Sequence, residues 1–270
     1  MNSIEVKGFK IPLVGLGTWT LRGRECARLV EEAIRLGYRH IDSAQMYGNE
    51  SDVGEGVRAS GLRAEVMVTT KIQPTMLAPR DVEASVKESL RQLKLDAIDL
   101  LLIHWPNPRI PLADTLGAMS KLKAAGITRQ IGVSNFTVAL IEEASRIAPD
   151  LVCNQIECHP FLNQDKVIAA CRKHGMAVVA YSPIARGSAS GNKVLERIGK
   201  AHSRSAAQVS LRYLVQQGIV VIPRTSKAAR LKENLDIFDF ALSDAEMADI
   251  HKLSGRGGRI VDWTWSPQWD

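Results

Sequence analysis

No stretch of this chain stays apolar for the roughly 20 residues a membrane span needs. The longest apolar runs, such as Met176 to Ala180 and Ile219 to Ile222, are strand-sized. The opening residues Met1-Asn2-Ser3-Ile4-Glu5 hold no apolar signal stretch, so no membrane or export role is expected. Cysteine is scarce: Cys26, Cys153, Cys158 and Cys171 fit neither a disulfide framework nor a CxxC metal pair. Cys153 and Cys158 would point to opposite faces of one strand. Cys171 and His174 can share a helical face, but two ligands alone make a poor metal site. Buried thiols in a reducing cytoplasm are the expectation. No run of Lys and Arg forms a basic arm and no aromatic-plus-basic motif occurs. The net charge of +6 is therefore read as solvated surface or attraction for an anionic small molecule, not as a nucleic-acid footprint. Linkers, internal repeats and low-complexity segments are missing as well, so residues 1–270 are expected to form one domain.

What is present is an ordinary globular mixture, 45% hydrophobic and 24% charged over 270 residues, enough for a normal core. Short runs rich in Val, Ile and Leu begin near Gly15, Arg39, Val66, Asp99, Ile131, Cys153, Val178 and Ile219. Such compact runs suit parallel strands covered by helices. Between them the pattern turns helical: Val82, Val86, Leu90 and Leu93 recur on one face, as do Leu140, Ile141, Ala144 and Ile147. Asn163 is placed to cap the helix carrying Val167, Ile168 and Cys171. Gly37, Gly126, Gly175 and Gly218 each stand between a helix and the next strand, where a left-handed C-cap favours glycine. Eight β-then-α units in one row predict a (β/α)8 TIM barrel. The alternative, an open doubly wound sheet, lacks its glycine-rich turn, because Gly15-Leu-Gly-Thr-Trp-Thr20 fails GxGxxG at the last position. Two additions are expected: an N-terminal β-hairpin over 3–13, turning at Lys7-Gly8 and closing the barrel bottom, and an extra C-terminal helix from the capping box Ser243-Asp-Ala-Glu246 through Leu253.

Barrel chemistry belongs at the C-terminal strand ends. Read in order, these ends offer Asp42, Lys71, His104, Ser134-Asn135, Gln155 with Glu157 and His159, Tyr181-Ser182, and Pro223-Arg224. Neighbouring strands lie about 4.8 Å apart, so Asp42, Lys71 and His104 can converge. Tyr47 follows in the loop after Asp42 and can fold back over the mouth. An ammonium beside it is expected to lower the phenol's pKa, with Asp42 holding Lys71 in place. A metal-dependent hydrolase would need several more His and carboxylate ligands, since only His104 and His159 stand at strand ends.

These residues carry a resemblance. Gly37 to Glu50 (GYRHIDSAQMYGNE), Ile131 to Phe136 (IGVSNF) and Val221 to Lys227 (VIPRTSK), with Arg230 and Glu233-Asn234, resemble in order the three signatures of the aldo-keto reductases; the Lys71 strand and His104-Trp105-Pro106 also match. Short loops resemble those of the bacterial subgroup that includes 2,5-diketo-D-gluconic acid reductases and methylglyoxal reductases. The resemblance implies a monomeric, cytoplasmic enzyme that reduces small aldehydes and ketones with NADPH. Tyr47 would be the general acid, Lys71 and Asp42 would tune it, and His104 would orient the carbonyl. Thr18, Trp19, Asp42, Ser134, Asn135, Gln155 and Tyr181 would hold the nicotinamide end, and Ser182, Pro183 and Ile184 would follow the pyrophosphate. Arg224, Thr225, Ser226 and Arg230 would grip the 2′-phosphate, and Glu233 and Asn234 would meet the adenine. A non-catalytic nucleotide-binding relative is the rival reading, disfavoured because all four catalytic positions are kept.

For the substrate, Trp19, Met46 and Trp105 are expected to line an apolar mouth, kept open by the short segment Pro106 to Leu112. Arg109 or Arg186 can attract an acidic sugar, and Arg186 departs from the small residue the resemblance implies there. The tail from Ser254 carries Trp263, Trp265 and Trp269, which can fold over the pocket.

Overall fold

The computed structural model describes residues 2–255 and 258–270. A hairpin of β1 (Ser3–Val6) and β2 (Phe9–Pro12) comes first. Lys7 and Gly8 both take positive φ, 50° and 77°, the tight two-residue turn that matches strand twist. Eight parallel strands follow: β3 (Leu16–Gly17), β4 (His40–Asp42), β5 (Met67–Ile72), β6 (Ile98–Ile103), β7 (Thr128–Ser134), β8 (Cys153–Glu157), β9 (Ala177–Tyr181) and β10 (Val220–Val221). They lie in one sheet in sequence order. Parallel bridges Val14–Val221 and Gly17–Arg224 join its first and last strands, with Gly15 N donating to Val221 O at 2.8 Å and Gly17 N to Pro223 O at 3.1 Å. The sheet is thus the expected closed barrel.

Helices α1 (Gly23–Arg35), α2 (Glu50–Ala59), α3 (Pro79–Leu93), α4 (Leu112–Ala124), α5 (Val138–Ile147) and α6 (Asp165–Lys173) each return the chain to the next strand. Between β9 and β10 there are two, α7 (Lys193–Ala201) and α8 (Ala206–Gln216); α9 (Ala228–Leu235) and α10 (Asp244–His251) complete the set. Helix α7 was not anticipated. Its separation from α8 lies at Ser203, which adopts φ 56°, and at the capping box Ser205–Gln208 that restarts the helix. The predicted capping box at Ser243 and Glu246 opens α10, which stops at His251 rather than Leu253. Gly37, Gly126, Gly175 and Gly218 all have positive φ, as a turn out of a helix requires. Two boundaries differ from the sequence reading. Strand β7 starts at Thr128 because the polar residues Thr128 and Gln130 pair in the ladder all the same; Gln164, not Asn163, is the N-cap of α6, and Asn163 Oδ1 accepts from Asp165 N at 2.9 Å.

The period-two alternation of the strands decides what fills the barrel. Val68, Leu101, Ile103, Ile131, Val133, Val178 and Val221 face the helices in one large apolar cluster. Met67, Leu100, Leu102, Cys153, Ala177, Val179 and Val220 face inward with Ile11, so the hairpin plugs the N-terminal end. Lys7 Nζ fastens the hairpin by donating to Pro149 O and Leu151 O at 2.6 and 2.7 Å. The same alternation, continued two to four residues along each strand, turns Asp42, Lys71, His104, Gln155, Glu157 and Tyr181 to the inside at the opposite end. The four cysteines are free and buried. No helix among the described residues is long and apolar enough to cross a membrane.

Candidate active site

Strand β5 is buried along its whole length, so Lys71 enters the barrel with no exposed surface. Its ammonium is satisfied by three oxygens: Asp42 Oδ1 at 2.5 Å, Ser43 O at 2.7 Å and Tyr47 Oη at 3.3 Å. Gln155 Nε2 crosses from β8 to donate to the other Asp42 oxygen at 2.8 Å. Burial lowers the Lys71 ammonium and raises the Asp42 carboxyl, and each partner opposes the other's shift. Removing either member would leave a buried charge unpaired, which costs about 3–5 kcal/mol.

A short 3₁₀ turn, Gln45–Tyr47, brings Tyr47 back over this pair; Gly48 ends it at φ 60°. The phenol is half-buried, its ring 4.9 Å from Lys71 Nζ and edge-on to the His104 ring at 5.6 Å between centroids. The sequence reading expected Lys71 to lower the phenol's pKa. The structure has the opposite sign: burial, then the Asp42 charge, raises Tyr47 well above an ordinary tyrosine. Burial is the larger cause, and the ammonium sits closer to Asp42 than to the phenol. Burial, with the Lys71 charge, pulls His104 well below an ordinary imidazole, so the ring is neutral near pH 7. Among the described residues His104 Nδ1 has no hydrogen-bond partner. Beneath the cluster, His40 donates to or accepts from Thr69 Oγ1 at 3.0 Å and is pulled down to about 3 by burial and Lys71.

Tyr47 and His104 open onto a cleft of about 660 Å³. Thr18, Trp19, Asp42, Ser134, Asn135 and Gln155 line it on one side of the cluster; Tyr181, Ser182, Pro183 and Ile184 continue it, and Arg186, Arg224 and Arg230 stand along its length. Lys71 lies beneath the cleft floor. Asn135, held at φ 62°, accepts from Tyr181 Oη at 2.8 Å and donates to His104 O at 2.9 Å, which fixes the wall opposite Tyr47. Met46 and Trp105 line the cleft as expected, and so do Val261, Trp263 and Trp265 of the tail. Trp105 packs edge-on against Trp265 at 5.0 Å and Trp269 at 6.0 Å. Trp263 and Trp265 thus border the cleft and Trp269 packs on Trp105 without lining it, while Val261 carried no signal in the sequence.

Four residues of the implied cofactor set do not line the cleft. Thr225 Oγ1 accepts from Lys227 N at 2.9 Å at the entrance to α9, and Ser226 is exposed. Glu233 accepts from Ser205 Oγ at 2.6 Å, and Asn234 is buried beside Tyr38. Of the two arginines considered for an acidic substrate, Arg109 is exposed away from the cleft, whereas Arg186 lies over the Trp19 ring at 4.9 Å. No group of three or more His, Cys, Asp or Glu able to hold a metal occurs among the described residues.

Comparison with known proteins agrees with this geometry. The Aldo/keto reductase family profile matches residues 13–254. Methylglyoxal reductase DkgB of Yersinia pestis is 38% identical over 265 residues, 96% of this chain and 99% of that protein. Glyoxal reductase of Bacillus subtilis is 40% identical over 252 residues, covering 92% and 90%. A crystal structure provisionally described as a 2,5-diketo-D-gluconic acid reductase B superposes with a TM-score of 0.98 at 43% identity, over 100% of this chain and 98% of that one. The chain belongs to the aldo/keto reductase family and is an oxidoreductase acting on small-molecule carbonyl compounds.

Proposed function

We propose that the protein reduces small aldehydes and ketones to alcohols with NADPH, using Tyr47 as the general acid. The observation that carries this reading is the Tyr47–Lys71–Asp42 chain beside a neutral His104, at the wall of one cleft. A phenol held protonated by burial and by Asp42 is a proton donor, and the Lys71 ammonium stabilises the phenolate left on Tyr47 when that proton moves to the carbonyl oxygen. The neutral His104 ring, which lines the same cleft, supplies a second hydrogen bond to that oxygen as negative charge develops on it. Together the two groups fix where the carbonyl sits.

The cleft fits a phosphorylated dinucleotide. Three guanidinium groups, Arg186, Arg224 and Arg230, line the same cavity as Gln155 and Tyr181. Guanidinium suits phosphate by bidentate hydrogen bonding. Arg224 and Arg230 would hold the 2′-phosphate, Ser182 to Ile184 the pyrophosphate, and Ser134, Asn135 and Gln155 the carboxamide. Bound there, the cofactor supplies hydride to the carbonyl carbon. The family resemblance implies a monomer, and four free thiols suit a reducing cytoplasm.

The relatives act on small dicarbonyls by name, which makes methylglyoxal the first substrate to try, followed by aromatic aldehydes and keto-sugar acids. Loss of absorbance at 340 nm on mixing protein, NADPH and methylglyoxal is the test. NADPH binding without oxidation across a broad carbonyl panel would leave only the rival, a non-catalytic nucleotide binder.

A further inference from the structure

We propose that Glu157 is a positioning residue that seats the tryptophan-bearing segment 258–270 against the cleft and thereby sets which carbonyl compounds are accepted. The inference rests on the carbonyl-reductase reading above. Glu157 ends β8, its side chain has no exposed surface, and it does not line the cleft. Its carboxylate turns instead to the tail: Oε1 accepts from Ile260 N at 2.7 Å and Oε2 from Val261 N at 2.8 Å. Among the described residues, His159 Nε2, at 2.9 Å from Oε1, is the other group bonded to it. The barrel thus holds two successive backbone N–H groups of the tail on two oxygens of one side chain.

Those N–H groups stand at the root of the cleft wall. Val261 itself lines the cleft, and Trp263 and Trp265 follow within four residues. Their rings stack at 6.2 Å with 5° between planes, and Trp265 abuts Trp105. No helix or strand fixes this segment; within it the Arg259 guanidinium lies on the Trp269 ring at 3.7 Å, and its ties to the barrel include Trp269 against Trp105 at 6.0 Å and Asp270 Oδ2 accepting from Val138 N at 2.9 Å. The carboxylate also needs the tail. A buried carboxylate deprived of donors is expensive, so Glu157 favours the seated tail over a released one. An amide cannot replace it, because one of its two termini is a donor and would face a tail N–H.

Three measurements test this. In Glu157→Gln, hydrogen exchange at Ile260 and Val261 is expected to accelerate. The KM for a bulky flat aldehyde such as 2-naphthaldehyde should rise about tenfold, equivalent to about 1.4 kcal/mol. Turnover number, NADPH affinity and the KM for methylglyoxal should stay within about twofold, since loss of the tail wall touches none of the reacting groups. Trp265→Ala should raise the same naphthaldehyde KM, and the double variant should add little, because both changes remove one wall. Equal losses on both aldehydes, additive effects, or unchanged exchange would each overturn the proposal. If Glu157→Gln does not fold, Glu157→Asp retains both acceptors with a shorter reach and should show the same split in KM; its absence there overturns the proposal equally. Should the native protein oxidise no NADPH with any carbonyl, the functional reading fails, while the exchange measurement still decides whether Glu157 seats the tail.

Discussion

The two ends of this barrel are built from the same strands and solve opposite problems. At the N-terminal end Met67, Leu100, Cys153, Ala177 and Val220 close on Ile11 of the hairpin, and little there needs a specific partner. Two to four residues further along, the inward positions become Asp42, Lys71, His104, Gln155 and Glu157, all buried and most of them bonded to one another. Apolar contacts tolerate exchange if volume is kept. Desolvated charges do not, because each depends on a named partner. The comparison teaches that one end of the barrel interior is filled by interchangeable apolar contacts and the other by specific polar partners, with the chemistry at the second.

The sharpest way to break that division is Tyr47→Phe. It should lower turnover by a factor on the order of 10³, within the range general acids supply, with NADPH binding and melting temperature unchanged. Near-normal turnover would remove Tyr47 from its role. The mirror experiment is Ile11→Ala at the hairpin, which should cost about 2–5 kcal/mol of stability by denaturant titration, while kcat/KM stays native. A loss of activity in a still-folded variant would show that the ends are coupled. Arg230→Ala is expected to weaken NADPH roughly 10- to 30-fold with little effect on NADH, as loss of a charge-assisted bond predicts. Equal losses would place the 2′-phosphate elsewhere.

The smallest effect concerns pH. Tyr47 is raised, so its proton is kept as pH climbs through neutrality; His104 is lowered, so it stays neutral as pH falls toward mild acid. Turnover in reduction should therefore be flat from about pH 6 to about pH 9. A decline beginning near neutrality would mean that Lys71 does lower the phenol, as the sequence alone suggested.

Most of the barrel was legible because its signals are local. Val- and Ile-rich runs mark the strands, glycines at 37, 126, 175 and 218 mark the helix exits, and strand ends mark Asp42, Lys71 and His104. The α7–α8 break was not legible, since it depends on Ser203 taking a left-handed backbone conformation that its residue type does not demand. The sign of the Tyr47 shift was not legible either: it is set by burial and then by the Asp42 charge, while Lys71 lies 2.5 Å from Asp42 and 3.3 Å from the phenol. Glu157 was visible as a strand-end carboxylate, but its partners lie on the tail, beyond any local pattern. Thr225, Ser226, Glu233 and Asn234 followed from resemblance alone; here Thr225 bonds Lys227, Glu233 bonds Ser205, Asn234 lies beside Tyr38 and Ser226 is exposed.

The barrel is fastened between its shortest members. Strands β3 and β10 have two residues each, and few backbone bonds join residues 13–17 to 221–224. Trp19 follows one edge of this join and Arg224 the other, and Arg224 Nε reaches Trp19 O at 3.3 Å. A dinucleotide gripped by both would straddle the zipper line of the cylinder like a rivet across a riveted seam. Loading would then tighten the whole hoop, and the melting temperature would climb with NADPH concentration as mass action requires.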